Sequence, residues 1–176
     1  MNVELTYQAR LAEYLHIAPE QVSLYWKGRV ALYAVLKAMG VGPGDEVVLP
    51  AFTCVVVPNA ILYLGATPIY VDINPTVLCC SASQIEQVLT PKTKVILIQN
   101  MLGLSFEVEE IVSLAKARGI YTIEDCTHGF GGKHKDVFNG LRSDASFFSS
   151  QWNKPFSTGI GGMLVVNNRD LLQPVN

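Results

Sequence analysis

Three short segments of this chain bring together residue types that could do chemistry. In residues 144–154 an apolar, strand-like stretch runs into Ser149 and Ser150 and then into a lone lysine, Lys154, with Gly159-Ile160-Gly161-Gly162 beyond it. Trp152, Pro155 and Phe156 flank that lysine. Burial in such company lowers a lysine's pKa and frees its amine as a nucleophile. The competing reading is a surface lysine whose stem lies along apolar neighbours. In residues 123–128 the pair Glu124-Asp125 follows an apolar run. A carboxylate at a strand end can hold a cation, either a protonated ring nitrogen or a metal, or it can simply cap a helix. In residues 26–32, Gly28 opens a helical stretch. The free amides and dipole of such an end suit a phosphate, although a loop entering a helix looks the same in sequence. One cofactor uses all three features. Pyridoxal 5′-phosphate needs a lysine for its Schiff base, an acid for its ring nitrogen and a cradle for its phosphate.

The elements that must position these residues alternate between short apolar runs and amphipathic stretches. Residues 29–39 read as a helix with Leu32, Val35, Leu36 and Met39 on one face. Residues 40–44 stop it. Residues 46–49, 68–73, 94–99, 121–124, 145–149 and 163–166 read as strands. Residues 55–64, 83–89 and 108–118 read as helices, the second opened by Ser81 or Ser83 and the third closed by Gly119. Within the third, Ile111, Val112, Leu114 and Ala115 are expected to face inward. This alternation predicts an α/β fold, a mostly parallel sheet with helices on both faces in three layers. Ligands collect at the carboxyl ends of such strands, which selects residues 50–54, Asn100, Asp125 and Ser149.

Composition narrows the function classes. The 49% hydrophobic and 16% charged fractions describe a globular chain with buried strands. The net charge of -2 and the lack of any basic run beyond Lys133-His134-Lys135 argue against nucleic acid as a partner. Apolar runs are too short to span a membrane, and the first 14 residues lack the order of a signal peptide, so the expected location is cytoplasmic. Cys54, Cys79, Cys80 and Cys126 show no CxxC spacing, so reduced, packed thiols are expected and no metal site. A nucleotide-binding oxidoreductase would need GxGxxG after its first strand, and Gly129-Phe130-Gly131-Gly132 lacks both spacing and position.

From Trp26 to Asn168 the sequence resembles the DegT/StrS-type sugar aminotransferases, which have the aspartate aminotransferase fold (fold type I). The resemblance rests on Gly28-Arg29-Val30-Ala31-Leu32, Gly42-Pro43-Gly44-Asp45-Glu46-Val47, Pro50-Ala51-Phe52-Thr53, Gly65-Ala66-Thr67-Pro68 with Val71-Asp72-Ile73, Ile123-Glu124-Asp125, and Lys154 with Gly159-Ile160-Gly161-Gly162-Met163. It implies Lys154 as the Schiff-base lysine, Ser149 and the amides of Gly28 and Arg29 on the cofactor phosphate, Asp125 on the pyridine nitrogen and His128 over the ring. Two positions depart from the family. Arg29 replaces a small hydroxyl residue. Cys54 stands where many relatives carry a ring that stacks on the cofactor, and Phe52 is two residues away. The resemblance further implies a homodimer that moves an amino group from an amino-acid donor, glutamate in many relatives, to a nucleotide-linked keto-sugar. Lys154 favours amination over the dehydrase branch of the family, which has histidine there. The implied organisation is an N-terminal helical segment, residues 1–25, followed by a pyridoxal-phosphate-binding large domain, residues 26–176. That domain is expected to be incomplete, with the small C-terminal domain absent. The alternative reading is a truncated, non-catalytic fragment that serves only in binding or assembly.

Overall fold

A computed structural model describes residues 2–175. The first helix, α1 (Val3–Leu15), starts where the Asn2 side chain accepts bonds from the amides of Glu4 and Leu5. It stops at His16, whose φ of 58° is left-handed. Strand β1 (Val22–Tyr25) leads to α2 (Gly28–Ala38), which buries Ala31, Leu32, Val35 and Leu36 along one stripe. Then follow β2 (Glu46–Pro50), α3 (Val56–Leu62), β3 (Thr67–Val71), α4 (Ala82–Glu86), β4 (Thr93–Gln99), α5 (Val108–Ala117) and β5 (Tyr121–Asp125). The capping box of α4 is reciprocal: the Ser81 hydroxyl accepts from the Gln84 amide, and the Gln84 side chain accepts from the Ser81 amide. A small hairpin, β6 (Lys133–His134) with β7 (Val137–Phe138), precedes β8 (Ala145–Ser149), β9 (Gly162–Val166) and α6 (Leu172–Val175).

Seven strands form one sheet in the order β1-β9-β8-β5-β4-β2-β3. β3, β2, β4, β5 and β8 pair parallel, while β9 runs antiparallel to both β8 and β1. The fold is therefore the expected α/β sheet, mostly parallel, with one reversed strand. Alternation along each strand serves two cores. Val47, Leu49, Leu97, Ile123 and Phe147 pack with Leu32, Leu36, Ile61 and other apolar residues of α2 and α3. Val48, Ile96 and Ile98 pack on the opposite face with Ile85 of α4 and Ile111 and Ala115 of α5. That second face is completed by α1, whose Leu11, Ala12 and Leu15 meet Phe148, Met163 and Val165. Because both faces are covered, the strands read as continuous apolar runs.

Some elements differ from the sequence reading. Within the segment taken as helical, the helix occupies Val3–Leu15, and Val22–Tyr25 is an edge strand of the main sheet. The helix expected over 55–64 is shorter, Val56–Leu62. Val112 and Leu114 are only partly buried, whereas Val108, Ile111 and Ala115 are buried. No helix among the described residues is long and apolar enough to cross a membrane. The described residues contain no group of three or more His, Cys, Asp or Glu that could hold a metal.

One contact fixes where α2 begins. A Cβ built on Gly162 of β9 would run into the backbone of Lys27 and Gly28. Only a glycine lets the two backbones meet there. Gly162→Ala is expected to cost about 1–3 kcal/mol of stability through forced backbone shift. Urea unfolding checks it, and an unchanged midpoint would show that the contact is soft.

Candidate active site

The parallel strands end together, and the candidate residues stand on that edge. Gln99, the last residue of β4, pairs with Asp125, the last of β5, and Asp125 pairs with Phe147 of β8. Ser149 closes β8 and Pro50 closes β2. Asp125 is 4% exposed. Its Oδ1 accepts the Thr127 amide at 3.0 Å. Residues 126–129 form a turn closed by the Gly129 amide on the Cys126 carbonyl, so Asp125 caps a turn and no helix follows it. Loss of water raises the Asp125 carboxyl above its ordinary value, against the lowering effects of the Thr127 bonds and the charges of Lys154 and His128. His128 is half-buried. Its pKa is lowered by burial and by the Lys154 ammonium, with Asp125 acting in the opposite sense. Lys154, Asp125 and His128 thus stand close enough at one mouth to feel one another's charge.

Lys154 sits on the loop between β8 and β9. Hydrogen bonds cross this loop from Trp152 N–H to the Gly159 carbonyl and from Thr158 N–H to the Ser150 carbonyl. The Ser150 and Thr158 hydroxyls meet at 2.7 Å. The expected apolar enclosure is not present. Lys154 is half-buried, Trp152 is 75% exposed and Pro155 is exposed. Residues adjacent in sequence alternate outward on this loop, so apolar neighbours in the chain do not become apolar neighbours in space.

Gly28 is the first residue of α2, and Lys27 before it makes no side-chain cap. The Lys27 carbonyl accepts the Val30 amide at 3.0 Å and the Ala31 amide at 3.3 Å, which leaves the first two amides, those of Gly28 and Arg29, at the open end of the helix. A Cβ on Gly28 would lie 2.9 Å from the Phe148 carbonyl oxygen and 3.2 Å from the Ser149 Cβ. This close approach sets the helix start directly beside Ser149, as a phosphate cradle requires. The Arg29 side chain is exposed, away from the close approach of Gly28 to Ser149.

The remaining strand end carries Cys54. β2 stops at Pro50, and residues 51–54 are irregular, so strand alternation does not decide which side Phe52 or Cys54 takes. Both are exposed. Cys54 departs from the expectation of packed thiols, which Cys79, Cys80 and Cys126 meet. The segment is pinned by the Thr53 hydroxyl donating to Gln99 Oε1 at 2.6 Å, and by Gln99 Nε2 donating to the Phe52 carbonyl at 3.3 Å. Sequence reasoning passed over Gln99, although its place at the end of a strand was a usable signal. Asn100, selected by the strand-end rule, is instead structural: it donates to Glu124 at 3.2 Å and to the Cys126 sulfur at 3.0 Å.

The two neighbouring carboxylates separate by function because successive strand residues face opposite sides. Glu124 is fully buried and accepts from the amides of Gly140, Arg142 and Ser143, the Ser143 hydroxyl and the Asn100 side chain. It anchors the turn after β7. Glu124→Ala leaves these donors without an acceptor, and the expected cost is about 3–5 kcal/mol by urea unfolding. Asp125→Asn behaves differently. The raised carboxyl makes the folded chain bind more protons than the unfolded chain from near pH 3.8 upward, so its contribution to stability falls as pH rises through the folded value. Unfolding measured against pH should show the variant at least as stable as the parent at neutral pH, with that falling component removed. A variant clearly weaker at neutral pH would contradict the desolvation argument.

Both the sequence and the fold match known proteins. The model of the DegT/DnrJ/EryC1/StrS aminotransferase family matches residues 3–175. GDP-perosamine synthase of Escherichia coli O157:H7 is 41% identical over 165 residues, 94% of this chain and 45% of that protein. Among solved structures, the aminotransferase TlmJ from Streptoalloteichus hindustanus superposes with a TM-score of 0.94 at 30% identity, over 98% of this chain and 47% of TlmJ. NtdA from Bacillus subtilis with bound cofactor PMP gives 0.89 at 32% identity, over 99% of this chain and 39% of NtdA. The chain spans 29–45% of the length of the curated relatives it matches here. By the extent of the family match, the chain belongs to the DegT/DnrJ/EryC1/StrS aminotransferase family.

Proposed function

We propose that this chain holds pyridoxal 5′-phosphate and that the protein transfers an amino group from an amino-acid donor, such as glutamate, to a nucleotide-linked keto-sugar. The observation that carries this reading is the desolvated Asp125 carboxylate lying within the electrostatic reach of Lys154 and His128 at the carboxyl edge of the sheet. The residues present fit the cofactor. A buried acid awaits a cationic ring nitrogen, a half-buried amine stands at the same mouth, and a bare helix start lies against Ser149. The family match and the PMP bound in NtdA support the cofactor, and the name of the E. coli relative supports a GDP-sugar or a similar nucleotide sugar.

When bound, the cofactor supplies an electron sink for the charge left when the carbon beside the transferred nitrogen loses its proton. The chain's own groups do the rest. The Lys154 amine carries that proton between carbon atoms as base and then acid. Asp125 keeps a proton on the ring nitrogen, which a carboxylate in a water-poor site does strongly. The amides of Gly28 and Arg29 with the Ser149 hydroxyl hold the phosphate. His128 would lie over the ring, and Cys54, at the position of the stacking residue, would supply no stack. Residues 26–176 serve as the cofactor-binding domain of a cytoplasmic homodimer.

The test is covalent. Incubation with pyridoxal phosphate, reduction with borohydride and peptide mass analysis should place the adduct on Lys154. Lys154→Ala should lose both the adduct and the visible absorbance band. A band retained in the variant, or an adduct spread evenly over surface lysines, would overturn the assignment.

A further inference from the structure

The loop that carries Lys154 has little regular structure to hold it. Between Ser149 and Gly162 it forms turns and one isolated bridge, Gln151 with Gly159. Its polar ties across the loop lie at its two ends, where residues 150–152 meet residues 157–161, and the Lys154 amide closes a local turn on the Gln151 carbonyl at 2.9 Å. The middle, where Lys154 sits, is tied chiefly by one ring. Phe156 is half-buried between exposed Pro155 and Ser157 and stacks on Phe130 at 5.1 Å with the planes 27° apart.

Phe130 is itself well anchored. Its ring meets Phe148 of β8 edge-on at 5.9 Å and stacks on Tyr14 of α1 at 5.6 Å. It packs against the core formed by Leu11, Leu15, Phe138 and Phe148. Phe130 lies two residues after His128, and Phe156 lies two residues after Lys154. The aromatic stack therefore joins the two segments at the same distance along the chain from each of the two interacting side chains. Fixing one ring against the other restrains the backbone two residues from Lys154 and two residues from His128. Trp152, the other aromatic ring on this loop, points outward.

We infer that Phe130 is a positioning residue for Lys154: its stack on Phe156 ties the lysine loop to α1 and to the Asp125–Gly132 segment, and so sets the amine's reach toward the cofactor carbonyl. This rests on the function proposed above. It assigns no chemistry to the phenyl ring. An offset-stacked pair gives a few-fold to about tenfold bias toward one arrangement over looser ones. Loss of the pair should appear as slower and less selective reaction at Lys154.

The experiment is timed labelling of the full chain. Pyridoxal phosphate is added, aliquots are quenched with borohydride, and adducts at Lys154 and at the other lysines are counted by peptide mass analysis. Phe130→Ala should slow labelling at Lys154 about fivefold relative to the other lysines. Phe130→Tyr, which keeps the stack, should restore the parent rate. Phe130→Leu keeps apolar bulk without the stack and should also be slow, which covers an alanine variant that fails to fold. Phe138→Leu is the control for stability, since the Phe138 ring meets Tyr14, His16 and the Lys133 ammonium and not Phe156. It should unfold more easily and label at the parent rate. A parent labelled at Lys154 with Phe130→Leu equally fast overturns this inference alone. Equal slowing in Phe138→Leu also overturns it, as a general stability effect. A parent that takes no label at Lys154 overturns both this inference and the function on which it rests.

Discussion

The site is built around a backbone contact made possible by two missing side chains. Gly162 of β9 lets the Lys27–Gly28 backbone descend onto the sheet, and Gly28 lets the same turn press against Phe148 and Ser149 of β8. Any Cβ at either position would lift the start of α2 away from the strand end. The consequence is electrostatic as well as steric. Helix-end amides concentrate partial positive charge within about one turn, so a shift of an ångström or two changes what they can hold. β9 also closes the loop that begins at Ser150, so the same strand that seats α2 sets where the Lys154 loop returns. One close crossing therefore places both the start of α2 beside Ser149 and the far anchor of the lysine loop.

The second organising feature is the division of labour between Glu124 and Asp125. Both are buried carboxylates, and burial of either would be costly if unpaired. Glu124 is surrounded by donors, so its charge is distributed over a network that holds the turn at residues 139–143. Asp125 accepts from Thr127 and relies for the rest on charges standing off at the mouth. Chemically identical groups one residue apart thus become a structural anchor and a poised acceptor. What separates them is the side of the sheet each faces and the number of donors waiting there.

Much of this was legible in the sequence, and the parts that were not have physical reasons. The apolar runs of β4, β5 and β8 are continuous because both sheet faces are covered, and that made them easy to find. The capping box at Ser81 and the glycine after α5 are local signals, read locally. The strand-end rule reached Asp125 and Ser149 because parallel register brings strand ends into line. The edge strand Val22–Tyr25 escaped notice: it is four residues long, and its partner β9 is 137 or more residues away, so no local pattern marks it. The supposed apolar pocket of Lys154 failed for a related reason. Trp152 and Pro155 are near in sequence, yet a loop without periodicity gives no rule for which side chains turn inward. The ring that does contact this loop, Phe130, lies 24 residues earlier than Lys154 and carries no motif of its own.

The raised carboxyl of Asp125 links folding and binding into one quantity. Without a cation against it, the fold holds this group away from water at a cost, offset only in part by Lys154, His128 and Thr127. A protonated ring seated there would bring the missing charge, and the carboxylate would regain in the complex what it lost on burial. Affinity for the ring and strain in its absence are then two measures of the same desolvation. The group is already dry before any ligand arrives, so the dipoles around it need no rearrangement when charge appears, which is the arrangement that makes an electrostatic site effective. Any ligand that binds the folded chain alone must also stabilise it in proportion to its occupancy. A site that carries part of the fold's electrostatic cost will show that gain most strongly where Asp125 is ionised, above its raised value and not below it.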